Sequence, residues 1–265
     1  MLLASLCDDF LAEVEDLHGV VGRLETAAAD SRTAFFNWSI RDQIMHLHQV
    51  DGFGLSSLAG DDVFARVLEQ VRADQANGIE LSQQAREEFR HLNWTDLVAV
   101  WREDAIRLAG KLRGSAEKRR MAWFGPSMSV VSFATSRQME TWAHAQDICD
   151  LLGIVRNVRP SIRNICDIGV RTFGWSFSNR GLVPPARPAV ELQGPGGERW
   201  VWPGEGGGEI KGSALHFALV VTQRRAPQDV DLEVFGEQAR TWLRIAQCFA
   251  GAPQQPAAPG SRPRI

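Results

Sequence analysis

Residues 129–152 read SVVSFATSRQMETWAHAQDICDLL, and the reading of this stretch decides the fold class. At about 100° per residue, Phe133, Arg137, Glu140, His144, Asp147 and Leu151 fall on one stripe of a helix. Large apolar residues at both ends of the stripe imply that it faces inward, and Gly153 supplies a natural C-terminal stop. Charged groups turned into a helical core need partners, because unpaired burial is costly. Glu140 and His144, one turn apart, stack a carboxylate and an imidazole on the same face. Such a pair is also common as an exposed helix contact; on an inward stripe it is half of a metal site.

A second helix supplies the other half. Ser39 begins an S-x-x-D capping box with Asp42, and Ile40, Ile44 and Leu47 then form an inward stripe. His46 stands at the edge of that stripe, beside Gln43 and Val50. His48 competes for the same role, but two positions turn it about 200° around the helix from His46, so both cannot face one ion. His46, Glu140 and His144 are therefore the candidate ligands. Two histidines and one carboxylate leave a coordination position open, as catalytic zinc requires. Asp147 suits a supporting place, orienting a ligand or meeting a substrate's cationic group; a buried hydrogen bond between helices is its plainer role. Arg137 either binds an anion or pairs with a buried carboxylate.

Working outward, helical periodicity governs residues 1–155. Phe10, Val14, Leu17 and Val21 mark a helix over about residues 3–24. The helix from Ser39 is expected to fade at Gly52 or Gly54, and another with Leu97, Trp101, Leu108 and Leu112 on one face spans 95–112. A polar, part-helical connection lies between them. The composition then changes. A short helix with Ile162, Ile165 and Phe173 leads to Ala189–Gln193 and Glu198–Trp202, a strand, turn and strand around Gly194-Pro195-Gly196-Gly197. Leu215–Thr222, apolar and partly β-branched, reads as a third strand, and Glu237–Ala250 as a closing helix. The expectation is α+β: a four-helix bundle over 1–155, a smaller α+β domain over 156–250, and a disordered Pro-rich tail over 251–265.

Composition bounds the function. The 265 residues are 44% hydrophobic and 23% charged with a net charge of −3, so no broad positive field suggests a nucleic-acid partner. No stretch approaches the ~20 apolar residues of a membrane span, and the first residues lack a basic leader region, so no export is expected. Cys7, Cys149, Cys166 and Cys248 lack CxxC spacing and read as reduced thiols of a cytoplasmic protein. Gly204–Gly208 lacks the Lys-Ser/Thr ending of a phosphate loop, and no G-x-S-x-G elbow occurs. His91 and His216 have no partner at ligand spacing. Trp123 is placed just before the 129–152 helix, where it could line the mouth of a site.

At these residues the chain resembles a known family. Trp38, Asp42, His46 and Leu47 fit W-x-x-x-D-x-x-x-H-L, and Glu140, His144 and Asp147 fit E-x-x-x-H-x-x-D. Both are similar to motifs of the mycothiol-dependent maleylpyruvate isomerase family and its DinB-like relatives. Trp123–Ser129, Ser132–Arg137 and Phe217–Arg225 resemble an actinobacterial branch known for metal binding. The resemblance implies a DinB-like four-helix bundle holding a divalent ion, zinc, on His46, Glu140 and His144, with a smaller domain closing over the site. It also implies mycothiol as cofactor or co-substrate. Arg224 and Arg225, just past the third expected strand, either meet an anionic substrate or cofactor or form a solvated strand end, the plainer reading. The function expected is thiol-dependent S-transfer to, or isomerisation of, an electrophilic small molecule. A thiol-independent metal hydrolase or lyase, and a non-catalytic metal-dependent binding protein, remain open at this point, as does the oligomeric state.

Overall fold

The computed structural model describes residues 2–263. The chain divides into two units, Met1–Leu151 and Leu152–Ile265. In the first, four long helices carry the architecture: α1 (Leu2–Val21), α3 (Ile40–Ala59), α6 (Trp94–Arg113) and α7 (Val130–Leu152). The short α2 (Thr26–Ala29) precedes α3; α4 (Asp61–Ala76) and α5 (Leu81–Phe89) fill the connection expected to be part-helical. A two-residue antiparallel pair, β1 (Arg120–Met121) and β2 (Met128–Ser129), turns the chain into α7. The core forms where α6 packs on α1 and α3. Phe10, Val14 and Leu17 meet there with Ile40, Ile44, Leu47, Leu97, Trp101 and Leu108, all fully buried.

The start of α3 follows its sequence signal. Ser39 Oγ accepts from Asp42 N at 3.0 Å, and Asp42 Oδ2 accepts from Ser39 N at 2.8 Å. Arg86 Nε and Arg32 Nη1 also bind this carboxylate, at 2.7 and 3.2 Å. The helix runs on through Gly52 and Gly54, contrary to expectation. At Gly54 an added Cβ would lie 2.6 Å from the Phe133 ring and 3.2 Å from Leu108 Cδ1. The glycine therefore marks the crossing of α3 with α7 and α6, not a helix end.

The reading of α7 as a one-sided stripe is also corrected. Phe133 is buried, but Leu151 is 39% exposed, while Met139, Trp142, Ala143, Ala145, Ile148 and Cys149 are all buried. From Arg137 to Cys149 every residue but Glu140 is buried, so an amphipathic wheel cannot define the inner face there. Gly153 follows with φ +67°, the left-handed conformation expected after a helix end.

The second unit contains α8 (Ile162–Arg171), α9 (Phe173–Ser178), β3 (Ala189–Gln193), β4 (Arg199–Trp202), β5 (Glu209–Ser213), α10 (Ala214–Val221), β6 (Leu232–Phe235) and α11 (Glu237–Ile245). Its sheet has the order β4-β3-β5-β6. The expected hairpin is β3 antiparallel to β4, while β3 pairs parallel with β5 and β5 antiparallel with β6. Leu215–Thr222, expected as a strand, lies mostly in α10. Ser213 Oγ caps that helix on His216 N at 3.1 Å, and Gly169 of α8 lets Val221 pack against its backbone. A short, wholly apolar run has no period to separate buried helix from buried strand.

Residues 251–263, assigned by composition to a disordered tail, are placed against the second unit. Gln223 and Arg180 side chains donate to Gln254 O, and Asp229 accepts from Gly260 N. Such a segment has few apolar groups, but its backbone groups still pair. No helix among the described residues is long and apolar enough to cross a membrane.

Candidate metal centre

His46 from α3 and Glu140 and His144 from α7 converge, with one donor atom of each lying within 4.8 Å of the others. Glu140 Oε2 is 3.5 Å from His144 Nε2 and 3.9 Å from His46 Nε2. Those separations are long for hydrogen bonds. They approach the roughly 3.3 Å edge of a tetrahedron whose metal bonds measure ~2.0–2.1 Å. Two imidazole nitrogens and a carboxylate oxygen are a donor set that zinc and similar divalent ions accept, so the residues fit such a group. The His144 side chain is 2% exposed, against 18% for His46 and 24% for Glu140, so solvent reaches the cluster past the latter two. Burial opposes ionisation of Glu140, yet the two histidines outweigh it and hold the carboxyl well below its usual range. It is a ready anionic ligand.

Behind His144 stands a side chain that the sequence reading placed beside His46 but gave no task. Gln43 Oε1 lies 2.9 Å from His144 Nδ1, and Gln43 Nε2 donates to Thr33 Oγ1 at 2.7 Å. The rings are walled in by the segment before α3. Trp38 lies parallel to His144 at 6.1 Å and edge-on to His46 at 5.3 Å, and Phe35 meets His144 edge-on at 5.1 Å. Phe36 and Asn37, with φ of 46° and 58°, form the tight bend that lets Phe35 and Trp38 close on the same imidazole. The only sequence signal for Gln43 was an uncharged polar residue one turn before His46 on a helix with an apolar face.

The remaining candidates sit as follows. Arg137 is 1% exposed, and its Nε donates to Asp51 Oδ1 at 2.9 Å, so it takes the buried-pair role rather than an open substrate contact. Burial pushes Asp51 up to about 6, although Arg137 opposes the shift. Asp147 is buried one turn beyond His144 and outside the donor group. His48 turns away as expected. Its Nδ1 is 3.8 Å from Asp104 Oδ2, its ring packs 4.5 Å from Phe89, and burial lowers its pKa. Trp123 joins Phe64, Phe124 and Phe133 in an aromatic cluster, and the rings that flank the imidazoles are instead Phe35 and Trp38. In the second unit, Arg224 and Arg225 follow α10 rather than a strand and are buried, with Nη1 atoms donating to Thr222 O and Arg224 O.

Fold and site together define a DinB-like four-helix protein with a two-histidine, one-carboxylate donor cluster and an α+β C-terminal part. Residues 10–149 match the family described as mycothiol maleylpyruvate isomerase N-terminal domain, and the chain belongs to that family. Two uncharacterized proteins of Mycobacterium tuberculosis, MT0041 of strain CDC 1551 and Rv0036c of strain H37Rv, are each 38% identical to it over 247 residues, covering 92% of this chain and 95% of theirs. A crystal structure of the mycothiol-dependent maleylpyruvate isomerase shares the fold, with a TM-score of 0.53 at 15% identity over 84% of this chain and 88% of that one. A histidine-to-alanine mutant of that isomerase gives a TM-score of 0.51 at the same identity and coverage.

Proposed function

We propose that the chain is a metal-dependent enzyme that uses a low-molecular-weight thiol, mycothiol, for S-transfer to, or isomerisation of, an electrophilic small molecule. The observation that carries this reading is the convergence of one donor atom each from His46, Glu140 and His144 within 4.8 Å, with Glu140 Oε2 3.9 Å from His46 Nε2 and 3.5 Å from His144 Nε2. These three would hold a divalent ion, zinc by donor type. When bound, such an ion lowers the pKa of a coordinating thiol, making thiolate available at neutral pH. The chain's own contribution is placement. Glu140 is kept ionised, His144 is oriented by Gln43, and Phe35 and Trp38 limit water on one side of the imidazoles. Family membership supports the choice of thiol.

The test begins with metal analysis of the purified protein and calorimetric titration of mycothiol into its metal-loaded and chelated forms. Stoichiometric metal and thiol binding that disappears with the metal are expected. Bound metal without thiol affinity would overturn the thiol assignment in favour of metal-dependent hydrolysis, lyase chemistry or ligand binding. His46→Ala, Glu140→Ala and His144→Ala should each abolish stoichiometric metal binding, whereas His48→Ala should retain it. The reverse result for His46 and His48 would show that the other face of α3 supplies the ligand.

A further inference from the structure

We propose that Gln43, itself held by Thr33, is a positioning residue that fixes the tautomer of His144 so that Nε2 is the donor offered to the cluster. The inference rests on the metal reading for its purpose, but its geometry is independent of any ion. Thr33 Oγ1 donates its single proton to Trp38 O at 2.9 Å. Toward Gln43 it can therefore only accept, which it does from Nε2 at 2.7 Å. That bond sets the direction of the amide. Its oxygen then faces His144 Nδ1 at 2.9 Å, and an amide oxygen can only accept, so Nδ1 carries the proton. In the neutral ring Nε2 is left with its lone pair, on the side where Glu140 Oε2 lies 3.5 Å away.

Burial makes the arrangement decisive. Gln43, Thr33 and His144 are 0%, 3% and 1% exposed, so water competes poorly for these bonds. The alternative amide orientation would point two acceptors at each other unless Thr33 released Trp38 O. It would also direct an N–H at Nδ1, moving the imidazole proton onto Nε2. That proton would find an acceptor in Glu140 and would block the ligand atom. Gln43 and Glu140 thus compete for one imidazole proton, and the 2.9 Å contact wins over the 3.5 Å one. Trp38 and Phe35 hold the ring plane while this choice is made.

The experiment is nitrogen-15 NMR of histidine-labelled, metal-free protein at alkaline pH, where the imidazoles are neutral, with His144 assigned by its absence from His144→Ala. Zinc affinity is measured by chelator competition. The expected wild-type result is protonated Nδ1 at His144. Gln43→Leu should move the proton to Nε2 and weaken zinc binding by about 10–100-fold. Gln43→Glu should keep the Nδ1 proton, since a carboxylate also accepts from it. Thr33→Ser should behave as wild type, and Thr33→Val should lose part of the preference. An Nε2–H tautomer in the unaltered protein overturns the proposal without any variant having to fold. So does a Gln43→Leu protein whose tautomer and zinc affinity are both unchanged. An Nδ1–H tautomer in a wild-type protein that binds no zinc would uphold the relay and sink the metal reading instead.

Discussion

Asp51 and Arg137 form a buried ion pair in the same helix crossing as the donor cluster, and their burial has a measurable cost. The folded protein holds the Asp51 proton up to about pH 6, whereas an unfolded chain releases it near 3.8. Between those values the folded state binds more protons, so stability falls as pH rises through the window. A rise from 3.8 to about 6 is equivalent to about 3 kcal/mol. Asp51→Asn keeps an acceptor for Arg137 but cannot titrate, so its stability curve should lack this slope. Urea unfolding of both proteins across the window checks it. The wild type should lose on the order of 3 kcal/mol relative to the variant as pH rises, and parallel curves would show that Asp51 is ionised throughout.

At the scale of helices, the two glycines of α3 make a paired test of what continues it and what it packs against. Gly52 has no atom within 4 Å of an added Cβ, so Gly52→Ala should stabilise the helix by about 0.5–1 kcal/mol. Gly54→Ala gains the same propensity but drives a methyl into Phe133 and Leu108, and overpacking of this kind costs about 1–3 kcal/mol. Denaturant midpoints should therefore move in opposite directions. If Gly54→Ala is also stabilising, α7 shifts freely against α3. The same glycines show where sequence reading stops. Periodicity located the four long helices, the Ser39 box and the β3–β4 turn, because each is written in local chemistry. It could not distinguish a glycine that ends a helix from one that admits a neighbour. Nor did it find β5, whose Gly212 and Lys211 weaken the strand pattern and which buries only Ile210, or identify α10 within an unbroken apolar run. At the site, Glu140 and His144 were legible from their one-turn spacing. Gln43 was not, because its importance lies in a hydrogen bond to a residue on another helix.

For the whole molecule, the donor set ties the second long helix to the fourth across the intervening α4, α5 and α6. An ion held by His46, Glu140 and His144 binds this folded arrangement, while an unfolded chain brings the three together only by chance. Folding and metal binding are then linked, and the folded state gains about 2.7 kcal/mol when free metal is a hundredfold above its Kd. The gain should be smaller with zinc than this ideal, since 4 cysteines and 6 histidines become available in the unfolded chain and also bind it. His46→Ala separates the contributions. It removes the folded site but only one of those unfolded-state ligands, so added zinc should leave its unfolding midpoint unchanged or lower it, while raising that of the wild type. Chelator should return the wild type to its metal-free midpoint. An equal rise in both proteins would place the stabilising ion elsewhere and break the link between α3 and α7 on which the proposed chemistry depends.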